Sequence, residues 1–240
     1  MAHISRKELK RDEFRETLTH GAEAVASHQK QVWMIGAVAL IVALAIAGWS
    51  SYTRRETVKG AAALDDAMKI FQARIRTATD PPPEPGEATY MDEKNKYADA
   101  EKKFVSVADQ YGRTRPGQEA RYYAGLCEAR LGAFDRAQKS FDMLGSASDA
   151  ELAALAKFQL AGVYDKTGKA AQAAQLYQQL ADKPSVLVPK PLVLLTLAEH
   201  YRKTDPAQAI KLYNQIKKDF ADSPAATQAD QGLQELNAKS

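Results

Sequence analysis

The longest apolar run in the chain lies between Val32 and Trp49, where eighteen residues include no charged side chain. As a helix rising about 1.5 Å per residue, this run extends roughly 27 Å, close to the ~30 Å hydrocarbon core of a bilayer. Trp33, Trp49 and Tyr52 place amphipathic rings at its two ends, where lipid headgroups would lie. The pattern predicts a single transmembrane helix over residues 32–52.

Two other interpretations of this run stay open at the level of sequence. One is a buried core helix. The other is the apolar region of a cleaved signal peptide, with small residues at Ala45 and Ala47. A charged segment, residues 1–31, precedes the run, and both this segment and the run itself are long for a signal peptide, which favours an uncleaved anchor.

After the anchor, apolar residues recur with helical spacing, and one short pattern occurs four times. A small residue is followed one turn later by an aromatic ring in the pairs Ala100/Phe104, Ala137/Phe141, Ala173/Tyr177 and Ala209/Tyr213. Successive pairs are 37, 36 and 36 residues apart. Because alanine lets a neighbouring helix approach while the ring fills the space beside it, we expect these residues in contacts between helices.

This pattern resembles the tetratricopeptide repeat family, whose unit is a helix-turn-helix of about 34 residues. Three units match: Gly125, Leu131, Gly132, Ala137 and Phe141 in 118–144; Leu160, Ala161, Tyr164, Gly168, Ala173 and Tyr177 in 154–180; Leu197, Ala198, Tyr201, Ala209 and Tyr213 in 191–216. In the third unit Asp205-Pro206 replaces the glycine, and we expect a turn about one residue shorter. The resemblance implies an all-α fold, with an α-solenoid of helix pairs over residues 53–240.

Prolines and capping residues divide the soluble part further. A helix is predicted over residues 56–78, with one apolar face formed by Ala62, Leu64, Ala67, Met68, Phe71 and Ile75. The proline-rich segment 80–86 interrupts it and is expected to be a loop, because proline removes backbone donors. Ser223 and Pro224 predict the start of a capping helix over residues 224–237, with Ser223 as the N-cap.

The distribution of charged residues bears mainly on the N-terminal tail and on the orientation of the anchor. The 33 basic and 30 acidic residues are mixed, so no basic stripe indicates nucleic acid. Residues 1–31 alternate in charge, which fits either a solvated cytoplasmic tail or a docking helix for a membrane partner. Local cations are more numerous after the anchor than before it, but long domains translocate largely regardless of charge. We therefore expect a cytoplasmic N-terminus and a periplasmic repeat domain, in a single-pass inner-membrane protein.

The sequence contains no motif typical of catalysis, such as a phosphate-binding loop or a zincin motif. The four histidines and Cys127 show no metal-ligand spacing. Cys127 is expected to be buried and inert rather than a reactive thiol, and His200 to be a solvated or capping residue. We therefore expect no enzyme activity, no cofactor, no metal and no small-molecule substrate.

By resemblance, the first helices of the repeats line a concave groove that suits extended peptides or a partner's helix. The side chains placed toward it are Tyr122, Leu126, Arg130, Phe158, Asp165, Lys166, Leu195, Glu199 and Arg202. The alternative is that these residues merely cover a partly apolar face of the solenoid.

A charged tail, one anchor and a helical-repeat domain, in this order, resemble the single-span ancillary Sec-translocon subunit family. That resemblance implies a protein that binds the translocon or newly translocated chains. Two alternatives are kept: a structural subunit of a stable membrane complex, and an envelope-assembly or division scaffold. The last rests on residues 219–226, which are similar to repeat ends in such scaffolds.

Overall fold

The computed structural model of the chain describes residues 29–238, so the tail predicted over residues 1–31 lies almost entirely outside it. Two compact units meet between Arg55 and Glu56. The helices are α1 (Gln29–Phe71), α2 (Glu93–Tyr111), α3 (Arg115–Arg130), α4 (Phe134–Asp142), α5 (Ala150–Lys166), α6 (Ala170–Asp182), α7 (Lys190–Tyr201), α8 (Pro206–Asp219) and α9 (Pro224–Asn237). The predicted all-α class is confirmed, and strands β1 (Arg74–Ile75) and β2 (Thr89–Tyr90) add only a short parallel pair.

Helix α1 carries the apolar run in its N-terminal part. From Trp33 onward, it is long and apolar enough to cross a membrane, and none of its most apolar window is buried. Trp33, Trp49 and Tyr52 are 74, 65 and 61 % exposed. A core helix would bury such side chains, so the core-helix interpretation is wrong. The helix also continues without a break beyond residue 52, to Phe71.

The second unit is a stack of helix pairs. Residues 56–71 of α1 pack against α2 through Phe71, whose ring lies 5.8 Å from that of Tyr97 and 5.9 Å from that of Phe104. The next pairs are α3 with α4, α5 with α6, and α7 with α8, followed by the single helix α9. The repeated alanine–aromatic pairs all lie on the second helix of a pair, and their eight side chains are at most 2 % exposed.

Small residues on the first helices complete these contacts. A Cβ atom at Gly125 would lie 2.7 Å from Cε1 of Phe141, so only glycine fits where α3 crosses α4. Ala198 on α7 is fully buried. The close approach of first and second helices therefore depends on the absence of side-chain volume on one partner and a ring on the other.

Two of the three turns inside the pairs use glycine in the left-handed region. Gly132 has φ +74° and Gly168 has φ +75°, and each turn spans three residues between helices. The third turn, residues 202–205, spans four, so the prediction of a shorter turn is wrong. Without a left-handed glycine, α7 ends earlier, and Asp205 caps α8 by accepting a hydrogen bond from the amide of Gln208 at 3.0 Å.

The helix predicted to reach residue 78 ends instead at Phe71. The following residues enter strand β1, which pairs with β2 beyond the proline-rich loop. The Arg76 guanidinium donates to the carbonyls of Asp80 (3.1 Å) and Pro81 (2.6 Å), and buried Lys96 donates to the carbonyl of Ala73. These contacts close the loop on itself. Ile75 therefore lies in β1 and not on the predicted apolar helix face, and Ala62, also predicted for that face, is exposed.

Helix α9 covers the end of the stack. Pro224 occupies its first turn, where the missing amide hydrogen costs no hydrogen bond. Ser223 is the N-cap residue, as predicted, but its side chain makes no capping hydrogen bond and its hydroxyl donates instead to the carbonyl of Phe220 at 2.7 Å. Gly232 lies against the Tyr213 ring so closely that a Cβ atom would come within 2.5 Å of it. The far face of α9 carries exposed polar side chains, as a terminal helix requires.

A buried polar cluster lies where α2, α3 and α4 meet. The Glu128 carboxylate, 5 % exposed, accepts a hydrogen bond from the Ser140 hydroxyl at 2.7 Å, and Glu101 pairs with Arg136. Burial, and then the nearby Glu101 charge, raise the pKa of Glu128 above its usual 4.5. Burial also raises the pKa of the adjacent Cys127 thiol to about 12, so this fully buried cysteine has the inert environment expected from the sequence.

Replacing Ala173 with Leu should overpack the contact between α5 and α6 and destabilise the protein by about 1–3 kcal/mol. The measurement is urea unfolding of the full chain in mild detergent, followed by circular dichroism. Ala171→Leu, at an exposed position of the same helix, is the matched control and should leave the midpoint nearly unchanged. Equal midpoints for the two variants would contradict the packing role of Ala173.

Replacing Glu128 with Gln should make stability less dependent on pH. Because the folded state raises the pKa of Glu128, its stabilising contribution is complete below about pH 4.5 and is lost as pH rises through the folded pKa. The variant should therefore melt near the wild-type temperature at pH 4 and above it at pH 8, because only the wild type loses stability over that interval. Glu93→Gln, at an exposed site, is the control; parallel pH profiles for Glu128→Gln and wild type would refute the prediction.

Candidate protein-binding cleft

The residues predicted to line the groove fall into three environments. Tyr122 lines a surface cleft, and Lys166 is exposed at the end of α5. Four others make polar contacts between helices: Arg130, Asp165, Glu199 and Arg202. The remaining three pack with the core: Leu126, Phe158 and Leu195.

Arg130 connects the first two pairs. Its guanidinium donates to the Tyr97 hydroxyl at 2.8 Å and lies 5.3 Å from the centre of the Tyr97 ring. A cation over an aromatic face is attracted by the ring as well as by the hydroxyl oxygen. Arg130 therefore holds the end of α3 against α2, and this contact occupies the guanidinium that the groove prediction assigned to a ligand.

Asp165 connects the next two pairs. One carboxylate oxygen accepts a hydrogen bond from the Tyr177 hydroxyl (3.3 Å), and the other lies 2.6 Å from Nδ1 of His200 on α7. The His200 side chain is only 7 % exposed and has the rings of Tyr177 and Tyr201 at its edges. The prediction of a solvated or capping histidine is therefore wrong. Burial, followed by the Asp165 charge, raises the pKa of Tyr177.

Glu199 and Arg202 make the equivalent contacts in the last pair. The Tyr213 hydroxyl donates to Glu199, and Arg202 lies 3.3 Å from Glu199 and 3.0 Å from Glu235 on α9. Burial, and then the bond to Glu199, raise the pKa of Tyr213. These side chains thus join α7 to α8 and to the terminal helix.

The three apolar groove candidates contribute to the core instead. Leu195 is 8 % exposed and belongs to the core cluster of the last repeats, so its assignment to the groove is wrong. Phe158 packs edge-to-face on Tyr177 at 5.8 Å. Leu126 is partly buried against Phe141 and its neighbours. The alternative interpretation, a partly apolar face covered by its own side chains, describes these three positions.

One cleft nevertheless lies between the first helices of two successive pairs. It has a volume of about 260 Å³ and is bounded by α3, α5 and the loop between α6 and α7. Its apolar lining consists of Tyr122, Tyr123, Leu152, Leu155 and Leu187. Its polar lining consists of Arg115, Glu119, Asp149 and Glu151. Rings and branched side chains with a few charges at the edge are the composition that anchors a partner's side chain.

The carboxylate of Glu151 binds the loop that forms one wall of this cleft. The two oxygens of Glu151 accept hydrogen bonds from the amides of Val186 (3.1 Å) and Leu187 (2.8 Å). These bonds, with that from Ser185, hold the pKa of Glu151 below its usual range. Val188 is buried beyond them, whereas Val186 and Leu187 are 85 and 54 % exposed. The loop therefore presents two aliphatic side chains to solvent in a fixed position.

Two larger clefts have less suitable walls. The first, of about 520 Å³, is lined mainly by alanines and by the flexible side chains of Lys157 and Lys183. The second, of about 380 Å³, lies beside Met143 and a serine-rich turn. Neither brings an aromatic ring and branched apolar residues together. In the part of the chain that the structure describes, no group of three or more His, Cys, Asp or Glu side chains could hold a metal ion.

Sequence reasoning found Tyr122 but missed the rest of the cleft. Leu155 and Glu151 lie near the start of α5, ahead of the positions that the repeat pattern emphasises. Leu187 lies in a loop between repeats, and helical periodicity gives no information about loop residues. The available signal was the pair Val186-Leu187 between Pro184 and Pro189, because adjacent aliphatic residues are unusual in a proline-bounded loop.

Replacing Glu151 with Ala should release the loop over residues 183–189. Hydrogen exchange in the full chain should become faster at the Val186 and Leu187 amides, while the amides of α6 keep their protection. Since the pKa of Glu151 is lowered, wild-type protection should also fall as pH drops through that pKa. Asp222→Ala, in a different loop, should leave these amides unchanged; unaltered exchange in Glu151→Ala would show that the carboxylate does not hold the loop.

Comparisons with known proteins agree with this architecture. The sequence model of the tetratricopeptide repeat-like domain family matches residues 27–184, and a tetratricopeptide repeat model matches residues 192–223. No curated protein and no solved structure gives a significant match. Repeats of this kind generally mediate protein–protein interactions. The first match covers more than half of the sequence and includes both α1 and the first repeats, so the chain belongs to the tetratricopeptide repeat-like domain family.

Proposed function

We propose that the protein is a membrane-anchored protein-interaction module that binds newly translocated chains or the translocon itself. Helix α1 spans the bacterial inner membrane once, with the N-terminus in the cytoplasm and the repeats in the periplasm. The order of tail, anchor and repeats resembles the single-span ancillary Sec-translocon subunits. The protein uses no cofactor and catalyses no reaction.

The observation that carries this proposal is the extent of the family match. It begins at residue 27, two residues before α1, and runs through three helix pairs to residue 184. An apolar helix that belongs to the same family domain as the repeats is more naturally an anchor than a removable signal peptide. The exposed apolar surface of α1, from Trp33 to Trp49, needs lipid or protein to cover it.

The size of the cleft favours transient clients over a permanent partner. Stable protein–protein interfaces bury about 1,600 Å² in total. A cleft of about 260 Å³ accommodates an anchor side chain and its neighbours, which gives weak and reversible binding. A chain emerging from the membrane needs such binding, because it must be released to fold.

A structural subunit of a stable membrane complex is the second candidate. It would use a broad surface, and the repeat domain does expose further apolar side chains such as Met91 and Leu192. The scaffold alternative has less support. Its motif, residues 219–226, forms the connection from α8 to α9, where Phe220 packs against the core and Pro224 starts a helix.

Photo-crosslinking in living cells tests this proposal. A benzophenone amino acid replaces Leu187 in the full-length protein, at the wall of the cleft, and adducts are identified by mass spectrometry. The proposal predicts many exported proteins among the adducts, and a large fall in yield when protein synthesis is stopped before irradiation. Exported proteins whose signal peptides have been removed are present only outside the cytoplasm, so adducts with these processed forms also report topology.

The control places the same amino acid at Gln228, on the exposed polar face of α9. Adducts at both positions in equal yield would mean that the cleft has no special role. A single stoichiometric adduct that survives the block of synthesis would favour the structural subunit. Cytoplasmic proteins among the adducts would reverse the proposed orientation.

A further inference from the structure

The wall of the cleft that comes from the loop carries two exposed aliphatic side chains, Val186 (85 % exposed) and Leu187 (54 % exposed). The backbone amides of Val186 and Leu187 donate hydrogen bonds to the Glu151 carboxylate, and the neighbouring Val188 is buried in the core. Leu187 faces Leu152, Leu155 and Tyr122 across the cleft. An occupant would therefore touch apolar surface on two sides, from a fixed loop and from two helices.

The dimensions limit what can occupy this space. Drug-sized ligands occupy pockets of roughly 300–1,000 Å³. At about 260 Å³, the cleft lies below that range, and its walls come from α3, α5 and the loop between α6 and α7. One aliphatic side chain of an extended peptide, with its backbone passing along the opening, fits these dimensions better than a cofactor does.

The charges at the edge of the cleft define which peptides suit it. Three carboxylates, of Glu119, Asp149 and Glu151, face one guanidinium, of Arg115, which leaves two negative charges. Arg115 lies 2.9 Å from Glu119 and 3.5 Å from Asp149. The helix dipoles at the starts of α3 and α5 offset roughly half a charge each, so the edge stays negative. Hydrogen bonds from the loop keep Glu151 ionised near neutral pH.

We infer that this cleft takes the aliphatic side chain of an extended peptide segment in which Lys or Arg stands beside that side chain. The aliphatic group contacts Leu155, Leu187 and Tyr122, and the neighbouring cations pair with Glu119 and Asp149. The inference rests on the proposed function and specifies its ligand. Unfolded chains expose such segments, whereas folded proteins bury the aliphatic group, so this chemistry would distinguish the two.

The test uses the full chain in mild detergent and short synthetic peptides in a Gly/Ser frame. Each peptide carries one photo-reactive leucine, flanked by two lysines, two glutamines or two glutamates. Adducts are mapped by mass spectrometry, and yield is measured at sub-saturating peptide. Adducts on residues of the cleft should be about threefold to tenfold more abundant for the lysine peptide than for the glutamine peptide, and lowest for the glutamate peptide. The lysine preference should shrink at high salt.

Two matched variants locate the contacts. Leu187→Ser should lower adduct yield at the cleft severalfold for every peptide, whereas Leu192→Ser, also an exposed leucine, should not. Glu119→Gln should reduce only the preference for lysine. Equal yields from the lysine and glutamate peptides at the cleft would overturn the inferred charge preference, although the cleft would still be a peptide-binding site. Failure of the proposed function itself would appear separately, as an absence of exported chains among the cellular adducts.

Discussion

Close contact between a small residue and a ring is the constraint on which the repeat domain depends. In each of four second helices, an alanine and an aromatic residue one turn apart are at most 2 % exposed. The first helices leave room for these rings, most visibly at Gly125, where a Cβ atom would lie 2.7 Å from Phe141. Because interiors are packed at the density of organic crystals, added volume at such a contact must displace a helix. A similar contact recurs at the end of the stack, where a Cβ atom at Gly232 would lie 2.5 Å from the Tyr213 ring.

Polar contacts fix the register between neighbouring helix pairs, which apolar packing alone does not fix. Arg130 reaches back to Tyr97, Asp165 reaches forward to His200, and Arg202 reaches forward to Glu235. Each side chain extends from the end of a first helix to an adjoining helix. Apolar rings tolerate small sliding movements, whereas a hydrogen bond weakens steeply with misalignment. These contacts therefore fix the rotation of one pair against the next, and they use side chains that would otherwise be free to bind a ligand.

The sequence predicted the fold well because its evidence was periodic. Four repetitions of a pattern such as Ala137/Phe141 identify second helices, and positions such as Gly132 identify turns, since only glycine is at ease at φ +74°. Contacts between residues far apart in the chain were not predictable in this way. Residue 165 follows the repeat pattern, but nothing local indicates that its carboxylate meets His200. The same holds for the pairing of β1 with β2, because these strands are separated in sequence by the proline-rich loop and no local pattern indicates that they pair.

The position of the cleft follows from where the polar contacts between helix pairs lie. The C-terminal ends of the first helices are occupied by contacts between pairs, so an open surface is left toward their N-terminal ends, where Tyr122 and Leu155 lie. Glu151 lies at the start of α5, where a carboxylate is favoured, and it uses both oxygens to hold the loop from the next connection. Within this loop Val188 packs in the core, whereas Val186 and Leu187, whose amides bind Glu151, keep their side chains exposed. The contacts that align the pairs thus leave the cleft nearer the opposite ends of the same helices.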